Sequence, residues 1–255
     1  MSKISDAFQN KKAFVGFLTA GDPSLDKTEE FILAMEQAGA SVIEIGIPFS
    51  DPIAEGPVVQ DANVRALSVE GGCTTDMIFH MLNNLKGKVT VPIVLMTYLN
   101  PVYKYGYEAF MAKCRETGVS GLIIPDIPFD EKSEILPIAK QYDVEVISLV
   151  APAAKSRIQM IAKEATGYIY VLPSLNATDT RKNILTDISE IVAEIRQVTN
   201  TPVVLEIGVN YPEAEYETIA DGFVVENAIV NIIAKHGKDA TPYICDYVKK
   251  TVESL

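Results

Sequence analysis

The feature that most constrains this chain is a rhythm. Short apolar runs, often β-branched, recur at 13–18, 41–45, 92–96, 121–124, 145–150, 168–172, 202–205 and 222–225, and each is followed by a stretch with helical spacing. Continuous apolar runs are what strands buried on both faces look like. Strands that alternate with helices pair in parallel, because every crossover returns the chain to the same end of the sheet. Eight such units predict a single α/β domain, a (β/α)8 barrel over residues 1–255, and 255 residues is an ordinary length for one. A doubly wound open sheet is the other arrangement this alternation allows. No Pro-, Gly- or Ser-rich linker divides the chain.

Composition narrows the function classes. The net charge is −12, which repels nucleic acid and anionic membranes. No run approaches 18 apolar residues, and Met-Ser-Lys-Ile-Ser-Asp-Ala-Phe at the N-terminus has no apolar signal core, so the chain reads as soluble and cytoplasmic. Cys73, Cys114 and Cys245 are widely spaced without a CxxC, and His80 and His236 are far apart, which predicts neither a disulfide framework nor a metal site. There is no Gly-rich dinucleotide fingerprint and no lysine placed at a strand end for a Schiff base, so no cofactor is expected for this chain.

In a barrel of this kind the chemistry sits at the C-terminal ends of the strands. The second run ends Val42-Ile43-Glu44-Ile45-Gly46-Ile47-Pro48, with an acid between two isoleucines. Burying that acid ionised is costly, so desolvation favours its protonated form and suits it to proton transfer near neutral pH. A structural carboxylate at the barrel mouth is the equal alternative. The loop that follows is long and rich in turn residues, and its Glu55, flanked by small residues, can reach inward to make an acid/base pair with Glu44. Asp126, at the end of the fourth run, is placed either to orient a neighbour by hydrogen bonding or to act as a cap.

These residues stand in a longer pattern. Phe17-Leu18-Thr19-Ala20-Gly21-Asp22-Pro23, then Glu44 through Pro57 with Gln60 and Arg65-Ala66-Leu67, then Met96-Thr97-Tyr98-Leu99-Asn100-Pro101 and Pro125-Asp126-Ile127-Pro128 resemble, in order and spacing, the signature of the tryptophan synthase α subunit family. The resemblance implies retro-aldol cleavage of indole-3-glycerol phosphate to indole and glyceraldehyde 3-phosphate. It implies an α2β2 partnership with a β subunit that carries pyridoxal phosphate. By the same resemblance, Glu44 matches the glutamate that protonates the indole ring carbon. Glu55 stands where the family has an aspartate that handles the indole N–H. Tyr170 matches an active-site tyrosine, and Phe17, Tyr98, Ile127 and Ile207 fall where the family lines the indole pocket. Thr178, Gly208 and Asn227 match substrate-binding positions.

The pattern breaks where the family binds phosphate. Asn176-Ala177-Thr178-Asp179 replaces a Gly-Val-Thr-Gly stretch, Glu206 replaces a glycine, and Glu226-Asn227 replaces Gly-Ser before Ala228-Ile229-Val230. Acidic side chains compete with a bound dianion. Two further expectations therefore stay open from the residues: a related retro-aldol lyase with a different, non-phosphorylated substrate, and a non-catalytic subunit that activates a β subunit.

Overall fold

The computed structural model describes residues 3–9, 11–151, 157–172, 181–206 and 218–255, with 181–187 described as backbone alone. Its strands are β1 (Ala13–Thr19), β2 (Val42–Gly46), β3 (Ile93–Met96), β4 (Val119–Ile123), β5 (Glu145–Val146), β6 (Ser148–Val150), β7 (Ile169–Val171), β8 (Val203–Glu206) and β9 (Gly222–Val225). All pair in parallel within one sheet. β9 returns to β1, with Ala13 opposite Gly222, which rules out the open doubly wound sheet. β5 and β6 are halves of one barrel strand. β5 pairs with β4, β6 pairs with β7, and Ile147 between them donates its N–H to the Leu122 carbonyl at 2.9 Å. Nine segments thus make the eight strands that the eight apolar runs predict.

The helices between them include α1 (Lys3–Asp6), α2 (Leu25–Gln37), α3 (Pro57–Leu67), α4 (Thr75–Leu85), α5 (Leu99–Tyr105), α6 (Tyr107–Thr117), α7 (Leu136–Gln141), α8 (Ile158–Glu164), α9 (Arg181–Arg196), α10 (Asn227–His236) and α11 (Thr241–Ser254). Their ends follow local chemistry. Ser24 and Thr74 cap α2 and α4, their hydroxyls accepting the N–H groups of Lys27 and Met77. α6 stops at Gly118, whose φ of +84° is a left-handed conformation that costs glycine least.

Side chains alternate across each strand, and that alternation divides the core. Ile43, Ile45, Leu95, Leu122 and Val225 face outward, into the layer beneath the helices. Val15, Phe17, Val42, Val94, Ile123, Ile147, Tyr168, Tyr170, Val204 and Val224 face inward and fill the barrel. Glu44, Glu206 and Glu226 keep step with Val42, Val204 and Val224, so three acids fall on the interior parity.

Candidate active site

β2 is buried along its whole length, and Glu44 lies 1% exposed in its middle, opposite Phe17 of β1 and Val94 of β3. Its Oε1 accepts a hydrogen bond from the Tyr168 hydroxyl. Its Oε2 is buried with no hydrogen-bond partner. A carboxyl held this way is a poor place for a full charge. Burial raises its pKa to about 7, the negative charge of Glu206 adds to the rise, and the Tyr168 bond opposes it. Burial also pushes the phenols of Tyr168 and Tyr170 well above their usual range, so both remain neutral donors. Two residues beyond Glu44, a side chain on Gly46 would collide with the Phe17 ring at 2.8 Å, so glycine there lets that ring lie over the strand end.

The loop between β2 and α3 brings in the second carboxyl. Glu55 is partly buried, and its Oε2 accepts from the Asn63 amide of α3 at 2.5 Å. Gln60 donates to the Glu55 carbonyl at 2.8 Å. Burial raises the Glu55 carboxyl above its ordinary value, and the Asn63 bond holds the rise back. The loop is tied to β3 by Tyr98, whose hydroxyl accepts the Ala54 N–H at 2.9 Å and whose ring stacks on Phe49 at 5.1 Å. Asp126, after β4, accepts the Leu99 N–H at 2.8 Å and so satisfies the first turn of α5. Orienting a neighbour and capping are here one act, since α5 begins beside Tyr98.

A third element of the site is acidic. Glu206 ends β8 and Glu226 follows β9 at the same end of the barrel. Their carboxyls are hydrogen-bonded to each other, which requires a proton on one of them. Burial raises both, and Glu226 is pushed up further by the charges of Glu206, Glu44 and Glu55. Glu44, Glu55 and Glu206 therefore all act on Glu226 at one barrel mouth.

Of the other residues singled out from sequence, Phe17 and Tyr170 face the interior beside Glu44, and Tyr98 braces the loop that carries Glu55. Ile127 packs in the outer layer, beside a cavity of about 100 Å³ that Phe129, Lys132, Ile147 and Leu149 also line. Asn227 is the first residue of α10, next to Glu226. Thr178, Ile207 and Gly208, with Asn176, Ala177 and Asp179, lie outside the described residues. Sequence reasoning passed over Tyr168, Asn63 and the contact between Glu206 and Glu226. Tyr168 had a readable signal, being two residues before Tyr170 and therefore on the same strand face. A larger cavity, about 660 Å³, opens at the other end of the barrel among Lys3, Arg115, Leu136, Lys140, Tyr142 and Val144. The four carboxyls do not line it, and the strand ends that carry chemistry in this fold point away from it.

A closed parallel barrel whose C-terminal mouth holds a desolvated carboxyl and a second acid on the adjacent loop defines a barrel enzyme of the acid–base type. The family model for the tryptophan synthase alpha chain matches residues 4–253. The tryptophan synthase alpha chain of Lacticaseibacillus casei is 40% identical over 252 residues, covering 98% of this chain and 94% of the relative. The crystal structure of tryptophan synthase subunit alpha from Legionella pneumophila superposes with a TM-score of 0.86 at 29% identity, covering 100% of both chains. A structure of the tryptophan synthase α2β2 complex from Pyrococcus furiosus matches with a TM-score of 0.84 at 31% identity, over 95% of this chain and 98% of that one. The chain belongs to the tryptophan synthase alpha chain family. It is a carbon–carbon lyase of tryptophan biosynthesis that cleaves indole-3-glycerol phosphate.

Proposed function

We propose that Glu44 is the proton donor and acceptor of this cleavage and that Glu55 serves the indole nitrogen. The observation that carries the reading is the Glu44 carboxyl itself: buried, titrating near neutrality, and with Oε2 left without a partner in the barrel interior. The Glu44 proton passes to the ring carbon that bears the glycerol chain, while Glu55 takes the N–H proton as positive charge develops. The hydroxyl on the adjacent chain carbon then gives its proton back to the Glu44 carboxylate. Its O–H electrons become the aldehyde C=O, the carbon–carbon pair flows into the ring, and Glu55 returns the nitrogen proton. Both carboxyls end as they began, and indole and glyceraldehyde 3-phosphate leave. Phe17 and Tyr170 supply interior surface for the ring. Thr178, Ile207, Gly208 and Asn227 complete the substrate contacts in this reading.

The chain acts as one barrel domain in the cytoplasm, and among the described residues no helix is long and apolar enough to cross a membrane. Its partner is the β subunit, in an α2β2 assembly, and pyridoxal phosphate belongs to that subunit. Two exposed apolar side chains suit such a contact, Ile53 in the β2–α3 loop at 80% exposure and Tyr103 in α5 at 69%. The test is indole release from indole-3-glycerol phosphate by the chain with and without a β subunit, for the native sequence and for Glu44→Gln. Glutamine keeps the shape and removes the proton, so the rate should fall by about 100- to 10,000-fold. A drop smaller than about tenfold would remove Glu44 from the chemistry. Ready turnover at micromolar substrate, within the ordinary range of enzyme KM values, would dispose of the non-phosphorylated alternative.

A further inference from the structure

Two of the four carboxyls at the barrel mouth take no part in the proton transfers above. Glu206 and Glu226 come from strands neighbouring in the sheet, on the parity whose other members, Val204 and Val224, fill the barrel interior. Two carboxyls that hydrogen-bond to each other need a proton between them, since two carboxylates have acceptors and no donor. One shared proton leaves one negative charge on the pair.

Glu44 supplies the second observation. It is buried, faces the same interior, and has one oxygen with no hydrogen-bond partner. Its other oxygen accepts from Tyr168, a bond that by itself favours the charged carboxylate. Donation of a proton needs the opposite. The groups around the three acids are Tyr168 just before β7, Tyr170 from β7, Tyr98 beside α5, Glu55 from the β2–α3 loop, Glu206 from β8 and Glu226 after β9. Among the described residues no lysine or arginine acts on Glu44, Glu206 or Glu226. Among the described residues the charge that acts on Glu44 is therefore negative.

We propose that Glu206 and Glu226 are positioning residues, a carboxyl pair that shares one proton and whose single charge keeps Glu44 in its proton-donating form. The pair need not touch the bond that breaks. The proposal rests on the reading of Glu44 as the proton donor, and it gives a role to two acids that, by the sequence resemblance, replace glycines of the family pattern.

The experiment compares the pH dependence of indole release for the native chain, Glu226→Gln alone, and the double variant Glu206→Gln/Glu226→Gln. Activity should fall on the alkaline side as Glu44 loses its proton. In Glu226→Gln the amide N–H replaces the carboxyl O–H as donor and Glu206 keeps its charge, so the alkaline midpoint should stay within about 0.3 unit. In the double variant the charge is gone, and the midpoint should move to lower pH by about one unit. A midpoint that is unmoved in the double variant, or moved equally in both, overturns the proposal. Infrared titration of the buried carboxyl C=O band reads the same midpoint without turnover, with Glu44→Gln identifying the band and thermal unfolding checking that each variant is folded. If Glu44→Gln keeps its activity, the donor reading and the pair fall together. If it is inactive and the double variant leaves the band midpoint in place, only the pair falls.

Discussion

Tyr168 works against burial and makes it easier for Glu44 to give up its proton. The phenol donates to Oε1, and a donor to a carboxylate stabilises the charged form. Tyr168→Phe removes that donor and leaves the ring. Glu44 should then titrate above its value of about 7, and the alkaline limb of indole release should move to higher pH, opposite to the double glutamine variant. Loss of one buried hydrogen bond should also cost about 1 kcal/mol of stability in a denaturant titration. A limb that moves down, or stays, would mean that the phenol does not act on the reacting carboxyl. Glu44 itself was legible as an acid enclosed by isoleucines. Its partner was less so: Tyr168 and Tyr170 share a strand face, but the bond to Glu44 joins residues 124 apart in the chain. The contact between Glu206 and Glu226 was less legible still. Read singly, each is an acid set against a phosphate, and only the pairing of β8 with β9 makes them partners.

At the scale of elements, the site depends on how the β3–α5 turn is pinned. Asp126 reaches from the end of β4 to accept the first N–H of α5, and Tyr98 at that turn holds the loop of Glu55 through Ala54. Asp126→Ala should cost about 1 kcal/mol, as the loss of a side-chain helix cap does. It should also raise KM for indole-3-glycerol phosphate more than it lowers kcat, because it loosens the wall of the pocket and leaves Glu44 in place. Steady-state kinetics separate the two, and a variant that loses kcat alone would place Asp126 in the chemistry instead. The elements were the most legible level. The eight apolar runs became barrel strands because burial on both faces leaves little freedom in their composition. The division of the fifth into β5 and β6 was hidden, since Glu145 to Val150 reads as one run and the break at Ile147 comes from pairing with two different neighbours. The 3₁₀ segment Phe129–Glu134 and the brief α7 after it were legible only as polar sequence following Pro128.

For the whole molecule, several acids held above their ordinary pKa couple folding to pH. Glu44 is raised from 4.5 to about 7, and burial raises Glu55, Glu206 and Glu226 in the same direction. Between those two values the folded chain binds more protons than the unfolded chain, so stability falls as pH rises. The contribution of Glu44 is fully present below about pH 4.5, shrinks as pH rises, and is lost once pH passes about 7. For this one group the change is about 3 kcal/mol. Glu30 and Glu116 are lowered by lysine neighbours and act the other way, but they sit at the surface, where ion pairs are worth little. The net charge of −12 adds self-repulsion that also grows as carboxyls ionise. Thermal unfolding should therefore show a higher Tm near pH 5.5 than near pH 8, and Glu44→Gln should flatten part of that slope by removing one of the raised carboxyls. The site would then be maintained at a cost in stability that is smallest where its carboxyls keep their protons. A Tm that rises from pH 5.5 to pH 8 in the native chain would mean that these acids are ionised in the fold, and a slope unchanged in Glu44→Gln would place the coupling elsewhere.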